Sequence, residues 1–126
     1  MEYNKAECNI LYETFDFYNR IVYKSEEKHF VLIENLHIYL DQHKSPTMAM
    51  KNEFKTNINN SFSNLLAIYS KQNDAISGLI ECNKVNKSFL SKKEITRESL
   101  LSLKNLTASL IEQLILHRNQ INSLLS

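Results

Sequence analysis

The sequence predicts an all-α protein, an antiparallel up-down bundle of three long helices. Three observations carry that expectation. The 126 residues contain one glycine and one proline, where average usage supplies about nine and six. These two residue types disfavour helix most strongly and also furnish most tight turns. Apolar residues recur at steps of three and four along most of the chain, the period of an amphipathic helix. No stretch alternates apolar and polar residues long enough to read as a strand, and no repeat has a solenoid period. A chain of this length is expected to form a single domain, residues 1–126.

The first segment runs from about Tyr3 to His43. Leu11, Phe15, Tyr18, Val22, Ser25, His29, Leu32, Leu36, Tyr39 and His43 follow one another at alternating steps of four and three. They mark one sustained face, and an unbroken helix here is about 60 Å long. Ser25, Glu26 and Glu27 offer a place for a bend, because serine followed by acids suits a helix start. Lys44-Ser45-Pro46 is the clearest boundary, with Ser45 read as N-cap and Pro46 as first helical residue.

The second segment carries Met50, Phe54, Ile58, Phe62, Leu65, Tyr69, Gln72 and Ile76 at helical spacing, then Leu79, Ile80, Val85, Phe89 and Leu90. A break near Asn73-Asp74 and Gly78 makes the bundle four helices instead of three. Ser91-Lys92-Lys93-Glu94 has the form of a capping box, with Thr96 as the rival N-cap. The last segment shows the cleanest stripe: Leu103, Leu106, Leu110, Leu114, His117, Ile121 and Leu124. Its width, extended by Leu100, Leu101, Ile111, Ile115, Leu116 and Leu125, fits a helix with at least two neighbours.

The composition is that of an ordinary globular chain, 43% hydrophobic and 23% charged, and no apolar run approaches the ~18 residues of a membrane span. The first residues lack the basic start and apolar stretch of a signal peptide, so a cytoplasmic address is expected. Cys8 and Cys82 read as small semi-buried thiols, being too few and too far apart for a disulfide scaffold or a CxxC metal or redox site. Sequons at Asn59, Asn86 and Asn105 then read as chance products of an Asn- and Ser-rich composition.

Net charge is +1, which gives no global pull toward nucleic acid, and no nucleic-acid partner is expected. The first helix is acidic, whereas Lys84, Lys87, Lys92, Lys93, Arg97 and Lys104 make the later part basic. A phosphate-cradling loop needs several glycines, and Gly78 stands alone. Neither HExxH nor paired CxxC occurs. Glu26-x-x-His29 and Glu34-x-x-His37 each set a carboxylate and an imidazole on one helical face, as in di-iron bundles, but both lie on the same helix. No metal, cofactor or catalytic residue is expected. His29 and His117 interrupt apolar stripes and read as hydrogen-bonded core histidines.

Tyr3, Tyr12, Phe15, Phe17, Tyr18, Tyr23, Phe30 and Tyr39 place most of the aromatics on the first helix. Phe17, with Ile10, Ile21 and Ile38, lies off its main stripe, so a fourth helix or another protein chain should cover that second face. The expectation is therefore a non-enzymatic protein–protein interaction module: a small chaperone, adaptor or assembly subunit, and a possible homo-oligomer. Partner contacts are assigned to Phe17, Ile21, Tyr23 and Ile38 on the first helix and Leu101, Ile115, Leu116 and Leu125 on the last. The alternative is an inhibitor or immunity-type protein that neutralises a toxin or host enzyme through the acidic first helix.

Overall fold

The computed structural model describes residues 4–126; Tyr3, the expected start of the first segment, lies outside the described residues. Four helices follow in order: α1 (Lys5–Gln42), α2 (Met48–Val85), the single turn α3 (Phe89–Lys92) and α4 (Arg97–Leu124). α1 passes Ser25 without interruption. Each of the first two helices has 38 residues, a length of about 57 Å. α2 is the central element. It packs along both α1 and α4, whereas α1 and α4 scarcely approach each other.

Local chemistry accounts for the boundaries. Asn4 caps α1 in a reciprocal box: its side chain accepts the Glu7 N–H at 2.8 Å, and the Glu7 carboxylate accepts the Asn4 N–H. This satisfies two of the orphan donors at the helix start. α2 begins two residues later than Ser45 suggested, because Thr47 supplies the cap, accepting the Met50 N–H at 3.2 Å. Thr96 caps α4 in the same way, on the Ser99 N–H. Ser91, the expected capping-box residue, instead lies inside α3 and donates its hydroxyl to the Ser88 carbonyl. The α3 end closes as a Schellman turn: the Ile95 N–H reaches the Leu90 carbonyl, the Glu94 N–H reaches that of Ser91, and Glu94 has φ 57°. Glycine ordinarily fills that left-handed position. Glutamate occupies it here.

No break occurs at Asn73–Gly78; the interruption comes at Asn86–Ser88, so the fourth helix is one turn and not half of α2. Two facts explain the continuity. Gly78 is buried against α1, and a Cβ there would stand 2.7 Å from Leu11 Cδ1. Glycine serves close approach at this point. The polar run beside it forms a layer between helices. Gln72 Nε2 donates to Asn19 Oδ1 of α1, and Asn73 Nδ2 donates to Thr107 Oγ1 and the Lys104 carbonyl of α4.

That layer divides the core in two. One apolar cluster gathers Phe15, Ile76, Leu79, Phe89, Leu90 and Leu100; the other gathers Ile33, Leu36, Ile58, Phe62, Leu65, Leu114 and Ile121. Hydrogen-bonded pairs between them penalise any sliding of the helices, which fixes register. Asn59 and Asn122 add a reciprocal amide pair between α2 and α4 at 2.9 and 3.0 Å.

Cys8 and Cys82 are joined as a disulfide, which corrects the expectation of free thiols. The reason is the hairpin register. Residues equally distant from the Lys44–Pro46 turn lie level on α1 and α2, as His29 with Ser61 and Asn19 with Gln72 also do. Among the described residues no helix is long and apolar enough to cross a membrane.

Candidate functional site: a groove between the outer helices

Because α1 and α4 both lie against α2 and not against each other, a valley runs between them with α2 as its floor. Two adjoining hollows mark it. The larger, ≈ 460 Å³, lies among Asn19, Val22 and Tyr23 of α1, Gln72 of α2, and Leu103, Leu106 and Thr107 of α4. A second, ≈ 270 Å³, lies among Phe30, Leu65, Gln113, Leu114 and His117. Both share Glu26, Tyr69 and Leu110. From Asn19 to Phe30 the valley extends about 17 Å, three helical turns.

Helical geometry dictates what faces this space. Asn19, Tyr23, Glu26 and Phe30 recur at steps of three and four along α1, one flank away from the buried face that holds Phe15, His29, Ile33 and Leu36. On α4 the corresponding flank presents Leu103, Leu106, Leu110, Gln113 and His117. The rims are open: Tyr23 is 78% exposed, Phe30 58% and Leu106 53%. The floor is closed by Leu65, Tyr69 and Gln72, all buried.

At the centre, the Tyr69 hydroxyl donates to the Glu26 carboxylate. Burial raises the Tyr69 hydroxyl above its ordinary value of 10.0, and the hydrogen bond and negative charge of Glu26 add to the effect. Beneath the second hollow, His29 is fully buried between α1 and α2. Its Nδ1 is 2.8 Å from Ser61 Oγ, and its Nε2 has no partner. The Phe62 ring stands edge-on to both His29 and His117. Burial lowers the His29 pKa below 6.5, and the neighbouring His117 lowers it further.

The residues assigned to partner contact divide among three places. Tyr23 lines the groove. Phe17, Ile38, Ile115 and Leu116 are exposed but do not line it, and Ile21 is half-buried. Ile10, Phe17, Val31 and Ile38 form their own seven-residue stripe on the opposite flank of α1, all exposed. Leu101 packs partly against the first cluster. Leu125 is 4% exposed and belongs to the second cluster, which removes it from any contact surface; as the C-cap of α4 its N–H still bonds to the Ile121 carbonyl. The groove residues Phe30, Leu106 and Leu110 went unassigned in the sequence. The i, i+3, i+4 series through Tyr23 and Phe30 was the available signal.

The paired Glu-x-x-His units do not converge. Glu26 meets Tyr69, His29 meets Ser61, and Glu34 and His37 are exposed. Among the described residues no group of three or more His, Cys, Asp or Glu side chains is placed to hold a metal ion. Neither His29 nor Ser61 lines the groove. In the basic stretch, Lys84 pairs with Glu81 and Lys93 sits over the Tyr12 ring at 4.6 Å. No family model, curated protein or solved structure matches the chain.

Proposed function

We propose that this chain is a non-enzymatic helical interaction module that seats an amphipathic helix of a partner protein in the α1–α4 groove, as small chaperones, adaptors and assembly subunits do. One observation carries the reading: three helices lie as a layer whose groove has apolar rims left open. A fourth helix laid there completes a four-helix bundle. Burying each exposed rim side chain contributes about 1.5–3 kcal/mol, against which the lost freedom of association counts. The disulfide supports an oxidising compartment over the cytoplasmic address expected from the sequence.

The test is a selection of displayed, randomised amphipathic helices on the folded protein. Tyr23→Ser combined with Leu106→Ser changes two exposed residues, so the fold should survive, as a melting curve verifies. The double variant should lose the selected helices. Equal capture by both proteins would put the seat elsewhere.

A further inference from the structure

The helix-seating reading leaves the partner's chemistry open, and the centre of the groove narrows it. Glu26 is half-buried and lines both hollows. One of its oxygens, Oε2, accepts from Tyr69, and among the described residues no hydrogen bond reaches Oε1. The ion pairs among the described residues are Asp16–Arg20 and Glu81–Lys84, both elsewhere. No lysine or arginine lines either hollow. Water reaching through the open mouth solvates the carboxylate. A helix lying across the rims removes that water, and a carboxylate buried without a cation costs several kcal/mol. A wholly apolar helix is therefore penalised at this one point, while a cationic side chain there is rewarded. Arginine suits the site best, since its planar fork pairs with a carboxylate while stacking on an aromatic face.

Resting on the proposed helix seat, we infer that the partner helix carries one arginine or lysine opposite Glu26. Apolar side chains about one turn to either side fill the hollows at Leu103–Leu106 and at Phe30–Leu114. Glu26 sets specificity, and the apolar rims supply most of the contact area.

The displayed-helix selection tests this through the sequences it returns. The expected pool has a basic residue fixed between two apolar anchors. A peptide from that pool should bind the Glu26→Gln protein at least about tenfold more weakly than the wild type. The same peptide with its basic residue changed to leucine should reverse that preference. Glutamine keeps an acceptor for Tyr69, and matched melting curves confirm the fold; if the variant fails to fold, the pool composition on the wild-type protein decides. Enriched helices without a basic residue, or equal affinity for the Glu26→Gln protein, overturn the role of Glu26 and leave the groove standing. Helices retained by the Tyr23→Ser, Leu106→Ser protein overturn the groove, and the inference with it.

Discussion

Cys8 and Cys82 face one another across the α1–α2 hairpin with their Cα atoms 5.9 Å apart, at the end opposite the Lys44–Pro46 turn. The bond spans 74 residues of chain, and closing a loop of that size in the unfolded state corresponds to about 4 kcal/mol in the chain-entropy view. Cys8→Ser with Cys82→Ser should lower the unfolding free energy by that order, read from urea unfolding. The denaturant slope should rise as the unfolded chain expands. Coincident midpoints with and without reductant would contradict the pairing.

The same register argument shows how much of this molecule was legible beforehand. Long stripes through Leu11–Tyr39 and Leu103–Leu124 predict α1 and α4 because their faces are mostly apolar at helical spacing. A turn at Pro46 sets Cys8 opposite Cys82, so the disulfide followed from the helices already expected; counting cysteines by sequence distance concealed it. Asn73-Asp74 and Gly78 misled for a different reason. A polar pair followed by a glycine suggests a break, yet here Asn73 bonds to Thr107 and Gly78 lies against Leu11, and only tertiary packing distinguishes the two cases. The groove was least legible, since it depends on α1 and α4 both choosing α2. No single helix encodes that choice. Leu125 was assigned to a partner because the stripe of α4 is wider than one neighbour needs, and only the tertiary packing shows that it is buried in the second cluster.

Glu94 holds the left-handed position of the Schellman turn with φ 57°. An L-residue there costs about 1–2 kcal/mol, while glycine adds about 0.5–1 kcal/mol of unfolded-chain freedom. Glu94→Gly should therefore stabilise the protein by roughly 0.5–1 kcal/mol, measured by chemical denaturation. Glu94→Val should destabilise it, because a β-branched residue tolerates positive φ poorly. A loss of stability with glycine would mean that the side chain contributes something the turn geometry does not.

His29 supplies a pH dependence whose sign follows from its burial. Its folded pKa lies below the unfolded value of 6.5, through desolvation first and His117 second. The groups facing it are Ser61 and Phe62 of α2, Phe30 of α1 and His117 of α4. Above pH 6.5 both states carry a neutral ring and this contribution is constant. As pH falls below 6.5 the unfolded chain takes up a proton that the folded one resists, and stability declines by at most about 1.4 kcal/mol per pH unit. The decline levels off once pH passes the lowered folded value. Urea midpoints between pH 7.5 and 5 should show it, and His29→Gln should flatten that part of the profile; an unchanged slope would assign the acid sensitivity to other groups.

Tyr69 predicts the opposite limb. Its hydroxyl is held above the ordinary value of 10.0 by burial, by its hydrogen bond to Glu26 and by that carboxylate's charge. A raised folded pKa means that the neutral phenol favours the folded state. This contribution is intact below pH 10 and is lost as pH rises above it. Phenolate absorbance should show a late step, one tyrosine resisting ionisation until the chain unfolds. Tyr69→Phe should remove the late step, and Glu26→Gln should bring it to lower pH by removing the charge while keeping the acceptor. If Glu26→Gln leaves the late step in place, burial and the retained hydrogen bond hold the phenol and the Glu26 charge contributes little to it. That result would weaken the case for a charge concentrated at the centre of the groove.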